Sequence, residues 1–315
     1  MKGIASFELP EELKKVLKEA IRLEWITIFY LLSVIVVMFL TMGSSQAMKT
    51  AWLEDLLSLI PSISFLIATR INKKPPDEKF RYGYHRVYSI AFLVGASALL
   101  GMGLFMIYDS SMSLIKLEHP SIGNKTFFGK QVWMGWVMIL ALVYSSIPAM
   151  ILGFKKLPKA KKLHNKILYT DAEAQKADYM TAFAAMAGII GIGAGLWWAD
   201  SAAALFIALS VVKDGFKYIS TAVKDLMDRY PVTLKKQKKD PLIDEIEDLV
   251  LGLDWVEDAK IRFRENGQVY VGEVAIIPKG KLIIENLEKV NVMLLNYHWK
   301  INDVSIIPVK ELPSW

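Results

Sequence analysis

The chain has 315 residues, 53% of them apolar and 22% charged, with no cysteine, a mean hydropathy of +0.32 and a formal charge of +6. Such numbers describe one apolar part joined to one part of ordinary polarity, because a wholly embedded chain would carry fewer charges and a soluble one would be less hydrophobic. They exclude a disulfide scaffold, thiolate metal sites and cysteine nucleophiles. In a membrane chain the positive excess belongs to cytoplasmic loops, so it does not point to nucleic acid.

In chain order, residues 1–24 form the first unit. Leu13, Val16, Leu17, Ala20 and Ile21 recur at helical spacing behind Pro10. This predicts an amphipathic cytoplasmic helix over 11–23, lying on the membrane surface. Residues 25–42 are an uncharged apolar run long enough to span a bilayer. Further spans are predicted over 51–68, 87–107, 132–154, 171–198 and 201–222. The second contains Glu54 and Asp55, the fifth has acids at its start, and the sixth is interrupted by Lys213 and Asp214.

The loops set the orientation. Arg70, Lys73, Lys74, Lys79, Arg81 and Arg86 follow the second span, and Lys155, Lys156, Lys159, Lys161, Lys162 and Lys166 follow the fourth. Against these twelve, the opposite loops hold four, Lys49, Lys116, Lys125 and Lys130. The expectation is six spans over 25–228 in the cell membrane, with both termini cytoplasmic.

Residues 229–315 read as a cytoplasmic α+β domain. Helices are predicted over 241–251 and 282–295, and strands over 256–263, 268–277 and 301–309. Glu265-Asn266-Gly267 marks a hairpin turn. The order α-β-β-α-β suits a small sheet covered by two helices, a design that binds or dimerises more often than it catalyses. Of the four histidines, His85 reads as structural or interfacial, and His119, His164 and His298 as solvated. Asp200 reads as a helix terminator.

Ionisable groups inside a bilayer are costly, so intramembrane acids are functional candidates. Glu54 and Ser58 are one turn apart and face the same way, with Asp55 about 100° round from Glu54. Asp171, Gln175 and Asp178 share a face within about 60°, while Glu173 points away. Two helices presenting such oxygen groups make a cage for a cation. No nucleophile, phosphate loop or catalytic histidine arrangement is present, so an enzyme is not expected.

Six spans, acids in the second and fifth, and an α-β-β-α-β tail resemble the cation diffusion facilitators. Lys74-Pro75-Pro76-Asp77 with Phe80, Tyr82-Gly83-Tyr84 and Arg86 is similar to that family's loop between spans two and three. Asp171-Ala172 with Asp178 and Thr181 is similar to its fifth-span signature, and Asp200-Ser201-Ala202-Ala203 and Leu226-Met227-Asp228 to its sixth span and exit. The resemblance covers residues 25–310. It implies a homodimeric antiporter that expels a divalent cation against inflowing protons, through a tetrahedral site between spans two and five. It also implies that Arg86 and Asp228 interlock the dimer.

The departures bear on the cargo. Aligned through the loop, the family's span-two pair falls on Glu54 and Ser58, and its span-five pair on Ala174 and Asp178, so a histidine position is a methyl group. The family's loop site falls on Asp77, Phe80 and Tyr84 and has lost two ligands. In the last strand, residues 304–309 carry no histidine or acid. The expected metal ligands are therefore Glu54, Ser58, Asp178, Gln175 and Asp171. Zinc prefers imidazole and thiolate, whereas carboxylate, amide and hydroxyl oxygens suit harder ions such as Mn²⁺, Mg²⁺ or Fe²⁺. A harder transported cation is the expectation, with no resident cofactor, and with proton exchange falling on carboxylates. The competing reading is a transport-inactive relative acting as a membrane scaffold or partner subunit.

Overall fold

A computed structural model describes residues 9–127 and 130–315. Helix α1 runs unbroken over Glu11–Thr41. The surface helix expected over 11–23 is therefore the first half of one 31-residue rod, since no glycine or proline interrupts the sequence between them. Leu17 and Ala20 pack with Phe65, Ala68, Leu163 and Ile167, which pins that half to the base of the bundle.

The second apolar stretch divides into α2 (Gln46–Leu57) and α3 (Leu59–Asn72), separated at Ser58. Pro61 is the physical reason: it has no N–H for the Leu57 carbonyl, and its ring crowds that carbonyl. Helix α4 spans Val87–Ile115. A hairpin of β1 (Asn124–Phe127) and β2 (Lys130–Trp133), not expected from the sequence, then leads into α5 (Met134–Lys162). Helices α6 (Lys166–Gly193) and α7 (Ala199–Leu226) complete the bundle, with α6 along α5 and α7 along α4.

Among the described residues four segments are long and apolar enough to cross a membrane: α1, the α2–α3 pair, α4 and α5. Helices α6 and α7 have the length, 28 residues each, but their acids and lysines keep them outside that composition. Their outward faces are nonetheless apolar, with Phe183, Ile190, Phe206, Leu209 and Phe216 exposed. The same holds for Phe29, Val36 and Leu40 on α1 and Leu140 and Ile151 on α5. An apolar exterior this extensive fits a lipid solvent. Asp200, fully buried, accepts from Ser45 Oγ (2.7 Å) and the Gln46 amide (2.5 Å), so it caps α2 from another helix.

The tail holds α8 (Pro241–Leu251), β3 (Val256–Asn266), β4 (Val269–Pro278), α9 (Ile284–Tyr297) and β5 (Ile301–Pro308). The sheet order is β3-β4-β5, antiparallel then parallel. Leu242, Ile246 and Val250 of α8 and Val290 and Leu294 of α9 join Phe263, Tyr270, Val274 and Val304 in one core. Asn266 pairs with Val269, so the turn closes on Gly267-Gln268, slightly later than expected. Gly267 has φ +70°, and a Cβ there would stand 2.2 Å from the His85 carbonyl. Only glycine lets this hairpin tip dock on the start of α4.

Candidate metal centre

The site begins with a defect in α5. Pro148 cannot bond the Tyr144 carbonyl. The Tyr30 hydroxyl of α1 reaches it instead (2.7 Å) and stands closer still to the Ser145 carbonyl (2.5 Å). At this locally opened turn Ser145 Oγ reaches the Asp55 carboxylate, 2.9 Å from each oxygen. Asp55 is buried. Glu54 beside it and Asp178 on α6 are half-buried, and the three carboxylates line one narrow cleft with Ser145, Thr181 and Ala51. The cleft has space for about one water, about 10 Å³. Among the described residues no Lys or Arg pairs with any of the three acids, and no imidazole lines the cleft. Nor does any group of three His, Asp or Glu side chains already stand close enough to hold an ion, so closing on a cation requires side-chain rotation.

The ligands expected from the sequence are only partly gathered here. Glu54 and Asp178 are. Ser58 is not: its hydroxyl bonds back to the Glu54 carbonyl at 3.1 Å, as serine does inside helices. The break at Ser58 leaves Asp55, not Ser58, as the second oxygen group of this segment. Ala174, which aligns with the family's histidine position, is exposed and does not line the cleft.

Asp171 and Gln175 belong to a second cluster, two turns away along α6. Lys156 Nζ, wholly buried, lies 2.9 Å from Glu24 Oε2 of α1 and 2.5 Å from Asp171 Oδ2. Gln175 Nε2 donates to Asp171 Oδ1 at 3.3 Å. Gly153 makes this possible: a Cβ there would meet the Ala172 carbonyl at 2.7 Å, so its absence brings α5 and α6 together one turn before Lys156. Glu24 and Lys156 were not among the expected site residues. The sequence signal was a lone acid at the edge of the first apolar run, and a lysine indistinguishable from its loop neighbours.

Below the bundle, buried charges join it to the tail. Lys166 bridges Asp225 (2.6 Å) and Glu265 (2.8 Å), and Arg229 also reaches Asp225 (2.7 Å). His164, expected to be solvated, is buried, 3.3 Å from Glu265 and 3.1 Å from the Tyr270 hydroxyl. The α5–α6 turn in which it sits is covered by the docked hairpin. Burial pushes the Glu265 carboxyl up, but Lys166 and His164 outweigh it and hold the group below its ordinary value. Asp240, capping α8, is likewise pushed up by burial and brought down, net, to about 2 by Lys300 and Tyr270. Burial lowers His85 to about 4, so it is a neutral, packed residue near pH 7. Arg86 and Asp228 pair within the chain at 2.6 Å, and Arg264 joins Asp228 at 3.0 Å. In the loop, Asp77 accepts from Tyr84 (2.5 Å) and the Lys79 and Phe80 amides. The Tyr84 bond above all holds its carboxyl below the usual range.

Acids buried inside an apolar-faced helical bundle, with a small sheet domain beneath, are matched by a family description. Residues 21–227 fit the model for the cation efflux transmembrane domain. The chain belongs to the cation diffusion facilitator family. It is 28% identical over 258 residues to the manganese efflux system protein MneS of Bacillus subtilis, covering 80% of this chain and 81% of that one. It is 24% identical to the B. subtilis manganese efflux system protein MneP over 76% of this chain and 77% of that one. The cation-efflux pump FieF of Salmonella arizonae is 25% identical over 71% of this chain and 68% of its own. Membership makes the chain a metal-cation efflux protein of the membrane, not an enzyme.

Proposed function

We propose that this protein exports a hard divalent cation, Mn²⁺ foremost, from the cytoplasm in exchange for protons, through Glu54, Asp55 and Asp178 with Ser145 as a further oxygen donor. The observation that carries the reading is three carboxylates beside two hydroxyl side chains in one cleft, without a basic partner or an imidazole among the described residues. Oxygen-only sets favour Mn²⁺ or Mg²⁺ over Zn²⁺. The names of the two manganese efflux relatives point the same way. With no histidine in the cleft, protons are exchanged on the carboxylates themselves. A divalent ion replacing protons there keeps the buried charge near balance, which supports coupled exchange over simple leakage.

In this reading all six long helical segments cross the bilayer, both termini and the tail lie in the cytoplasm, and two copies assemble as a homodimer. The apolar outer faces of α6 and α7 and the excess of basic loop residues support it. The test is uptake of Mn²⁺ into everted vesicles under an imposed proton gradient, comparing the parent with Asp55→Asn and Asp178→Asn. The expected result is gradient-driven uptake lost in both variants. A parent no faster than empty vesicles would instead favour the inactive-scaffold reading. Active variants would move the site elsewhere.

A further inference from the structure

The Glu24–Lys156–Asp171 cluster takes no part in the site just described, yet it is built like one. Its three charged groups are buried and come from three helices, α1, α5 and α6. With both acids ionised its net charge is −1, which is costly inside a bilayer unless a further positive charge is supplied. Its oxygens are also under-used. Gln175 Oε1 is buried and has no hydrogen-bond partner among the described residues, and beyond the ammonium Glu24 is met only by the Ser62 hydroxyl. Buried polar atoms are nearly always satisfied. Gln175 Oε1 can only accept, and the ammonium between the acids has already spent donors on Glu24 and Asp171. A set of acceptor oxygens around a cation that cannot satisfy them all fits an ion of higher coordination number. An octahedral Mn²⁺ or Mg²⁺ takes six oxygens, whereas an ammonium gives three N–H bonds.

The cluster is also in line with the first site. Asp171 and Asp178 are seven residues apart on α6, which puts them on one face and separated by about 10 Å along the axis. Asp178 is within electrostatic reach of both Asp171 and Lys156. The second cluster lies toward the end of the bundle that carries the basic loops and the tail.

We infer that Glu24, Asp171 and Gln175 form a second divalent-cation position, occupied here by the tethered Lys156 ammonium, which an ion entering toward Asp178 displaces. Lys156 is thus a built-in competitor. It holds the position at net −1 instead of −2 when no ion is passing and excludes cations that cannot outbid an ammonium for two carboxylates.

The experiment counts bound Mn²⁺ on the purified full chain in nanodiscs by electron paramagnetic resonance, in an Asp178→Asn background that disables the first site. Lys156→Ala should add one Mn²⁺ per protomer, and Glu24→Gln/Lys156→Ala/Asp171→Asn should remove it again. A purely structural lysine would add no ion when lost. If Lys156→Ala does not fold, Glu24→Gln/Lys156→Met keeps the cluster at net −1 and still frees Asp171 and Gln175. It should then bind the extra ion more weakly. A count equal to that of the background in either folded variant overturns the proposal and leaves a site for buried water only. The choice of Mn²⁺ rests on the export reading, but the count needs no transport. A transport-inactive parent with an extra ion in Lys156→Ala would sink the export reading alone.

Discussion

Carboxylates at the junction with the tail and in the α2–α5–α6 cleft have different partners, and the difference bears on the proposed export role. At the junction with the tail every one is matched: Glu265 by Lys166 and His164, Asp225 by Lys166 and Arg229, Asp240 by Lys300. In the cleft between α2, α5 and α6, Asp55 is met by the Ser145 hydroxyl, and Glu54, Asp55 and Asp178 have no basic partner among the described residues. A matched buried charge orders two elements against each other. An unmatched cluster costs stability that only a bound cation or proton restores. The Lys156 cluster stands between the two cases, with one cation for two acids.

The contrast breaks most easily at Asp55. Asp55→Asn is expected to lower Mn²⁺ transport at least about 100-fold, because it removes a charge met only by the cargo, while Tm is unchanged or rises. A drop in Tm of the size caused by core mutations would place Asp55 with the architectural group. Lys166→Met is the opposite case. It leaves Asp225 and Glu265 buried with weakened partners and is expected to cost about 3–5 kcal/mol. Thermal unfolding in nanodiscs, followed by exposure of the hairpin at Gly267 to protease, checks it.

Acid should act on the matched region in a defined direction. Asp240 has a folded value near 2 against an ordinary 3.8, so its stabilisation is complete above about pH 4 and is lost as pH falls toward 2. The contribution is about 2 kcal/mol. Parent and Asp240→Asn melting curves should therefore converge on acidification, and parallel curves would contradict the assignment. A smaller effect concerns ion choice. Ala174 is exposed, so Ala174→His should leave selectivity unchanged, whereas Ser145→His, beside Asp55, should raise the Zn²⁺:Mn²⁺ uptake ratio roughly tenfold. Equal shifts in both variants would return position 174 to the site. The smallest effect is expected at the half-exposed Arg86–Asp228 pair, where Arg86→Ala should cost no more than about 1 kcal/mol of monomer stability. A larger loss confined to the dimer, seen as dissociation on dilution, would support an interlock between protomers.

Much of this was written in the chain. Hydropathy located the apolar segments because lipid requires long uninterrupted runs, and α8 begins and ends where its amphipathic pattern does. The tail's α-β-β-α-β order followed from local periodicity alone, with strand ends displaced by up to three residues. Glu54 and Asp178 were legible as candidate site residues because acids in apolar helices are rare and expensive, and they line one cleft. What the sequence could not supply was the pairing of helices. Ser145 meets Asp55 90 residues away and Lys156 meets Glu24 132 residues away, and nothing local distinguishes Lys156 from the solvated lysines beside it. The choice of Asp55 over Ser58 depended on a helix break at Pro61 and on the face that α5 presents. His164 changed from a loop residue to a buried one only because the tail hairpin folds over it. Local pattern fixes which segments are helices and which face is apolar. Partners for a buried charge are decided by how those faces pack, and that is a property of the assembled bundle.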